Sequence, residues 1–228
     1  MVEVVDIQAD FFRLIPSRFP PVQVFEGLVA NDRLDEVAAA ESRTNPRLAA
    51  EERLRGSVPN SHRLQNFNHA PFKYINPEGS VFFPPMRPAL ELADHRQTAL
   101  AVAVPRRERF LRRTLEAPIG LDMRLLKTPV HGRFADLTAA SPNLGFEERT
   151  KLVTDLPADI DGVVFRPAER PTHRCLAVLN GATLGYTLQS AHYRFWWDGA
   201  RIATVYAFDD ARPLNPEVFG QPEDALAA

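Results

Sequence analysis

Six histidines, a single cysteine, two adjacent tryptophans and one basic run are the side chains of this 228-residue chain that invite a chemical role. His62, His69, His95, His131, His173 and His192 are scattered. No pair has the spacing that sets two ligands on one helix face or one hairpin, so no metal site is expected. Cys175 opens the apolar run Cys-Leu-Ala-Val-Leu and reads as a core thiol rather than a nucleophile. Arg106 to Arg113 holds enough positive charge to grip a phosphate, but Glu108 interrupts it, and a solvated helix face explains it better. Trp196 and Trp197 fall in an alternating stretch, so they point to opposite faces of a strand and neither need stack a ligand. No Gly-x-Gly-x-x-Gly, Walker loop or Gly-x-Ser-x-Gly elbow occurs, which removes the usual nucleotide and hydrolase signatures. By residue type alone the site stays unidentified.

The elements that must position any site are those of one ordinary globular domain. Apolar residues make up 45% and charged residues 25% of the chain, and the length is ample for a hydrophobic core. A net charge of −2 argues against direct nucleic-acid binding, and one cysteine excludes an internal disulfide. No signal peptide and no membrane-length apolar stretch is visible, so a cytoplasmic location is expected. Proline is the outlier: 20 residues, nearly twice the usual share of about 5%.

The pattern predicts helices over residues 33–43 and, capped by Asn45 and stopped at Gly56, over roughly the next ten residues. Residues 57–88 read as loop. A short buried helix over 98–104 should end at Pro105, and another is expected over 146–156. Strands are expected at 121–125, 130–137, 162–165, 175–179 and 182–188. A hairpin of 193–197 and 201–206 turns on Asp198-Gly199. The tail after Asp209 reads as peripheral. These signals give an α+β fold: a single domain over residues 1–208 with a mixed, mostly antiparallel sheet flanked by helices, and a tail over 209–228.

Several fragments also occur in a telling order. They include Arg13-Leu14-Ile15-Pro16-Ser17-Arg18-Phe19-Pro20-Pro21, Thr44-Asn45-Pro46-Arg47, Asn76-Pro77-Glu78-Gly79-Ser80, Glu108-Arg109-Phe110-Leu111-Arg112, Asp161-Gly162-Val163-Val164-Phe165 and Trp197-Asp198-Gly199. Over roughly residues 10–206 the chain resembles the RES-domain family, NAD-consuming toxins of bacterial toxin–antitoxin modules. The resemblance implies an ADP-ribosyltransferase-like RES fold with an NAD cleft lined here by Arg13, Ser80, Val81, Phe82, Val102, Phe165 and Pro167. It implies NAD as substrate or residual ligand and no other cofactor. The partners implied are a helix-turn-helix (Xre-type) antitoxin, a sister RES protein or a second copy in a homodimer.

The resemblance also locates what is missing. The family's arginine position holds Val81, its tyrosine position Leu90-Glu91, its glutamate position Val102 and its serine position Pro167. Cleaving the nicotinamide–ribose bond builds positive charge on the ribose, which a carboxylate stabilises and valine does not. Valine also cannot replace an arginine fork on a pyrophosphate. Three readings therefore stand: a degenerate RES protein acting as a binding or assembly partner; an active NAD phosphorylase, glycohydrolase or ADP-ribosyltransferase using a displaced set of Glu91, Arg87, Arg166 and Glu169; or an unrelated α+β domain.

Overall fold

The computed structural model describes residues 2–16, 33, 36, 68, 71–72, 76–157, 159–224 and 226. The two helices expected between residues 33 and 56 lie outside the described residues, Arg33 and Glu36 excepted. Among the described residues an eight-stranded sheet and two α-helices form one α+β architecture. The strands are β1 (Val4–Pro16), β2 (Leu90–Ala93), β3 (Ile119–Asp136), β4 (Gly162–Phe165), β5 (Cys175–Val178), β6 (Leu188–Trp197), β7 (Ile202–Ala207) and β8 (Arg212–Leu214). The helices are α1 (Arg96–Thr114) and α2 (Phe146–Leu152).

The strand order is β1-β2-β5-β4-β3-β6-β7-β8, and β1 pairs with β3 as well. All pairings are antiparallel except β3 with β4. Five strands thus form a ring whose seam is the single register pair Phe12–Ala93. Ile7, Phe11, Leu90, Leu92, Phe134, Val164, Leu176 and Val178 cluster on one face of that ring. Strand alternation turns Glu91 and Ala93 to the other face, against α1. There Leu100, Val104 and Leu111 of α1 join Met123, Leu125, Val163, Phe195, Trp197 and Val205 in the larger core.

Several expected elements differ in extent. Helix α1 does not stop at Pro105 but runs nine residues beyond it, to Thr114. Proline removes one backbone hydrogen bond, yet the Arg, Glu and Leu that follow are good helix formers, and Leu111 is buried on the core. The expected strands 121–125 and 130–137 are one long strand, β3, because β1 pairs along Met123–Ala135 and holds Pro129 extended. Residues 182–187 are not a strand, and β6 begins at Leu188. Asn180 Oδ1 accepts the Ala182 amide at 3.0 Å and starts a 3₁₀ turn over Gly181–Thr183. Helix α2 ends at Leu152, short of 156.

The hairpin forms as expected, its turn fastened by Asp198 Oδ1, which accepts the amides of Ala200 and Arg201 at 2.8 Å each. Trp197 is buried and Trp196 is 49% exposed, as strand alternation requires. The chain after Asp209 is not peripheral. It adds β8, pairs with β7 and buries Leu214, Phe219 and Leu226, because its few apolar residues find the open end of the core.

Candidate functional site

Strand register builds the floor of the site. Glu91 lies opposite Ala177, which lies opposite Val163; one step along, Ala93 lies opposite Cys175, which lies opposite Phe165. All six side chains therefore share the face covered by α1. Both alanines are buried in the main core, and Glu91 is the one charged group in these two rows.

The segment before β2 closes over this floor. Gly79, at φ +70°, ends a turn opened by Asn76, a left-handed conformation that favours glycine. Ser80 then closes a second turn: its amide donates to the Phe83 carbonyl at 2.8 Å, and its Oγ accepts the Phe83 amide at 3.1 Å. That turn aims the Val81 amide at Glu91 Oε1, which accepts it at 2.6 Å. It also lays Phe82 edge-on to Phe165, ring centroids 5.0 Å apart.

Helix α1 supplies the remaining wall. Val102 and Arg106 are one turn apart and share a helix face. Arg106 forms an ion pair with Glu91 Oε2; the Glu91 side chain is 13% exposed and that of Arg106 43%. Burial works against the Arg106 charge, but the Glu91 carboxylate outweighs it and holds the guanidinium pKa above the usual arginine value. Val81 and Val102 pack on the main core.

Arg13 sits in the same electrostatic environment. Burial pushes its pKa down to about 10, with Glu91 opposing and Arg106 and Arg107 adding to the fall. Burial, here aided by Glu91, pushes the Cys175 thiol well up, so the thiolate is disfavoured.

The structure thus brings together Val81, Phe82, Glu91, Val102 and Phe165, with Arg13 within the field of Glu91. It does not gather the whole displaced set. Arg87 lies over the Phe83 ring at 4.8 Å and lines a separate cleft of about 480 Å³ with Asp159, Asp161 and Asn180. Arg166 turns to the Pro171 carbonyl at 3.4 Å. Glu169 is exposed and reaches the cleft through its field, favouring the charged Arg106. Pro167 is buried in a turn, its carbonyl accepting the Arg170 amide at 3.3 Å.

The residue missed from sequence is Arg106. The basic run is more than a solvated face, since its first member, though 43% exposed, is the counter-ion of Glu91. Its spacing of four from Val102 was the available signal, hidden by treating Pro105 as a stop. Glu108 is structural: it pairs with Arg112 at 2.9 Å and accepts the Ile202 amide at 2.8 Å.

A ringed, mostly antiparallel sheet with a helix laid across one face defines an α+β scaffold. The family model for the RES domain matches residues 53–198, more than half of the chain, and the chain belongs to the RES-domain family. That span contains every wall of the cleft except Arg13. The chain is also similar to the uncharacterized protein y4oC of Sinorhizobium fredii (strain NBRC 101917 / NGR234), 56% identical over 226 residues and covering 98% of each chain. No helix among the described residues is long and apolar enough to cross a membrane.

Proposed function

We propose that this chain is a RES-fold protein without NAD-processing chemistry, acting as a binding or assembly partner within a toxin–antitoxin system. A helix-turn-helix antitoxin or a sister RES protein is the partner the family suggests. The observation that carries this reading is the engagement of Glu91, the charged group of the cleft floor. One oxygen accepts the Val81 amide and the other faces Arg106. A carboxylate that accepts one amide and is ion-paired with one guanidinium is a poor stabiliser of a ribosyl cation, which needs a negative group free to face the developing charge.

The apolar residues support the same conclusion. Val81 and Val102 pack on the core and Phe82 lies edge-on to Phe165, both rings buried, so this wall offers a nucleotide few hydrogen bonds. Losing one stabilising donor or charge typically costs about 10²–10³-fold in rate, and several lost from one working unit leave little specific catalysis.

The test is incubation of the purified chain with NAD, with and without inorganic phosphate, followed by product analysis and calorimetry. No nicotinamide release is expected in either condition. Turnover that disappears in Glu91→Ala would overturn the reading and establish an active NAD-degrading enzyme.

A further inference from the structure

The C-terminal segment is held to the rest of the fold by an unusual concentration of side-chain bonds to its main chain. Arg170, in the loop between β4 and β5, has no solvent exposure. Its Nε donates to the Gln221 carbonyl at 2.9 Å, and its Nη2 to the Pro222 carbonyl at 3.0 Å and to Asp224 Oδ1 at 3.1 Å. Its Nη1 reaches Thr98 Oγ1 at 3.3 Å and His95 Nδ1 at 3.2 Å, both at the start of α1. Gln97, equally buried, donates from Nε2 to the carbonyls of Val218 at 3.2 Å and Glu223 at 3.1 Å. Arg96 donates to the Leu226 carbonyl. Phe219 is sealed in the core, and Gly220 lies so close to the loop that an added Cβ would stand 2.9 Å from the Glu169 carbonyl.

The loop so gripped runs from one side chain of the site floor to another. It begins after Phe165, carries Pro167 and Glu169, and ends at Cys175 on the cleft floor. Its far end is tied to β2, because Asp94 Oδ2 accepts the Arg174 amide at 2.8 Å. A buried guanidinium is stable only with its donors filled. Undocking the tail would leave Arg170 short of most of its acceptors, so tail and loop must open together.

We propose that the C-terminal segment 215–224 is a latch on the loop 166–174: by filling Arg170 it fixes that loop, and its release opens the way to Cys175 at the loop's end. Arg170 is a positioning residue in this scheme. The latch concerns access to Cys175 and holds whether or not the chain turns over NAD.

Cys175, the sole cysteine and 4% exposed, serves as the reporter. Labelling of the full-length chain by a maleimide at fixed neutral pH should be slow. It should quicken about five- to ten-fold in Asp224→Asn, which weakens a charge-assisted bond to Arg170. Gly220→Val, which wedges the tail from Glu169, should have at least as large an effect. On the unaltered chain, hydrogen exchange should show the bonded amides of Val218 and Gln221 in the tail opening as one unit with those of Arg170 and His173 in the loop. Unchanged labelling in both variants while they remain folded overturns the proposal. So do tail and loop amides that exchange independently, and that measurement decides the matter even where a variant does not fold.

Discussion

The Glu91 carboxylate accepts the backbone amide of Val81 at 2.6 Å, joining the middle of β2 to the turn ten residues before it. This bond makes Glu91 a structural acceptor first. In Glu91→Ala, the Val81 amide loses its acceptor and Arg106 its counter-ion, and a loss of about 1.5–3 kcal/mol is expected for bonds to a charged group. Arg106 is partly open to water and recovers some solvation, which holds the loss toward the lower end. Glu91→Gln keeps a carbonyl oxygen for Val81 and should lose about half as much. Urea unfolding of the two variants measures this, and equal stability of Glu91→Ala and the parent would refute the structural role.

Returning a carboxylate to the roof of the cleft should not return activity. Val102→Glu would stand one turn before Arg106, the favourable order for a helix ion pair. The variant should fold, with a stability change within about 1 kcal/mol. It should release no nicotinamide from NAD above the buffer rate, because Arg106 is then shared between two carboxylates and Val81 still offers no guanidinium. Product analysis as for the parent checks this; turnover from the single change would show that only one group was missing.

How much of this was legible in the sequence depended on distance along the chain. The hairpin around Asp198-Gly199 was readable because its signal is local: alternation on both sides and a turn whose side chain bonds its own amides. The floor of the site was half readable. Glu91 stood out as a carboxylate near a lost position, but its commitment to Arg106 depended on α1 passing Pro105, where helix propensity and Leu111 burial outweighed one lost hydrogen bond. The latch was not readable. Arg170 and Gln97 meet main-chain carbonyls about 50 and 120 residues away, and a carbonyl has no signature in the amino-acid letters.

The turn that delivers Val81 rests on Gly79. An added Cβ would stand 2.6 Å from the Phe83 carbonyl oxygen, and the residue is in the left-handed region. Gly79→Ala should lose about 1–2 kcal/mol from the backbone conformation, and more from the contact. The effect should reach the site: the Val81 amide should exchange faster as its bond to Glu91 loosens. Hydrogen exchange resolved to residues 78–83, beside urea unfolding, reads both effects, and an unchanged Val81 amide would detach the turn from the site.

The start of α1 carries a pH dependence of known sign. His95 is the N-cap, and its Nδ1 accepts the Gln97 amide at 3.3 Å with the Arg170 guanidinium 3.2 Å away. Gln97 and Arg170 are donors and favour a lone pair on Nδ1, against Asp224 Oδ1, which stands 3.4 Å from the same atom. Protonation fills that lone pair, removes the cap and sets a cation beside Arg170. Burial lowers the His95 pKa most; Asp224 opposes, and Arg170, His173 and Arg96 lower it further. The unfolded chain therefore binds more protons than the fold below its own histidine pKa of about 6.5. This share of stability is complete above that pH and is lost as pH falls toward the lower folded value. Asp224 titrates elsewhere: burial raises its pKa, but the Arg170 bond and the charge of His95 outweigh it, so its share disappears only below about pH 4. Replacing His95 by Asn keeps a good cap and removes the titration. Urea midpoints of the parent should fall between pH 6.5 and 5, and those of His95→Asn should fall less over the same interval. Parallel curves would place the acid sensitivity in another group.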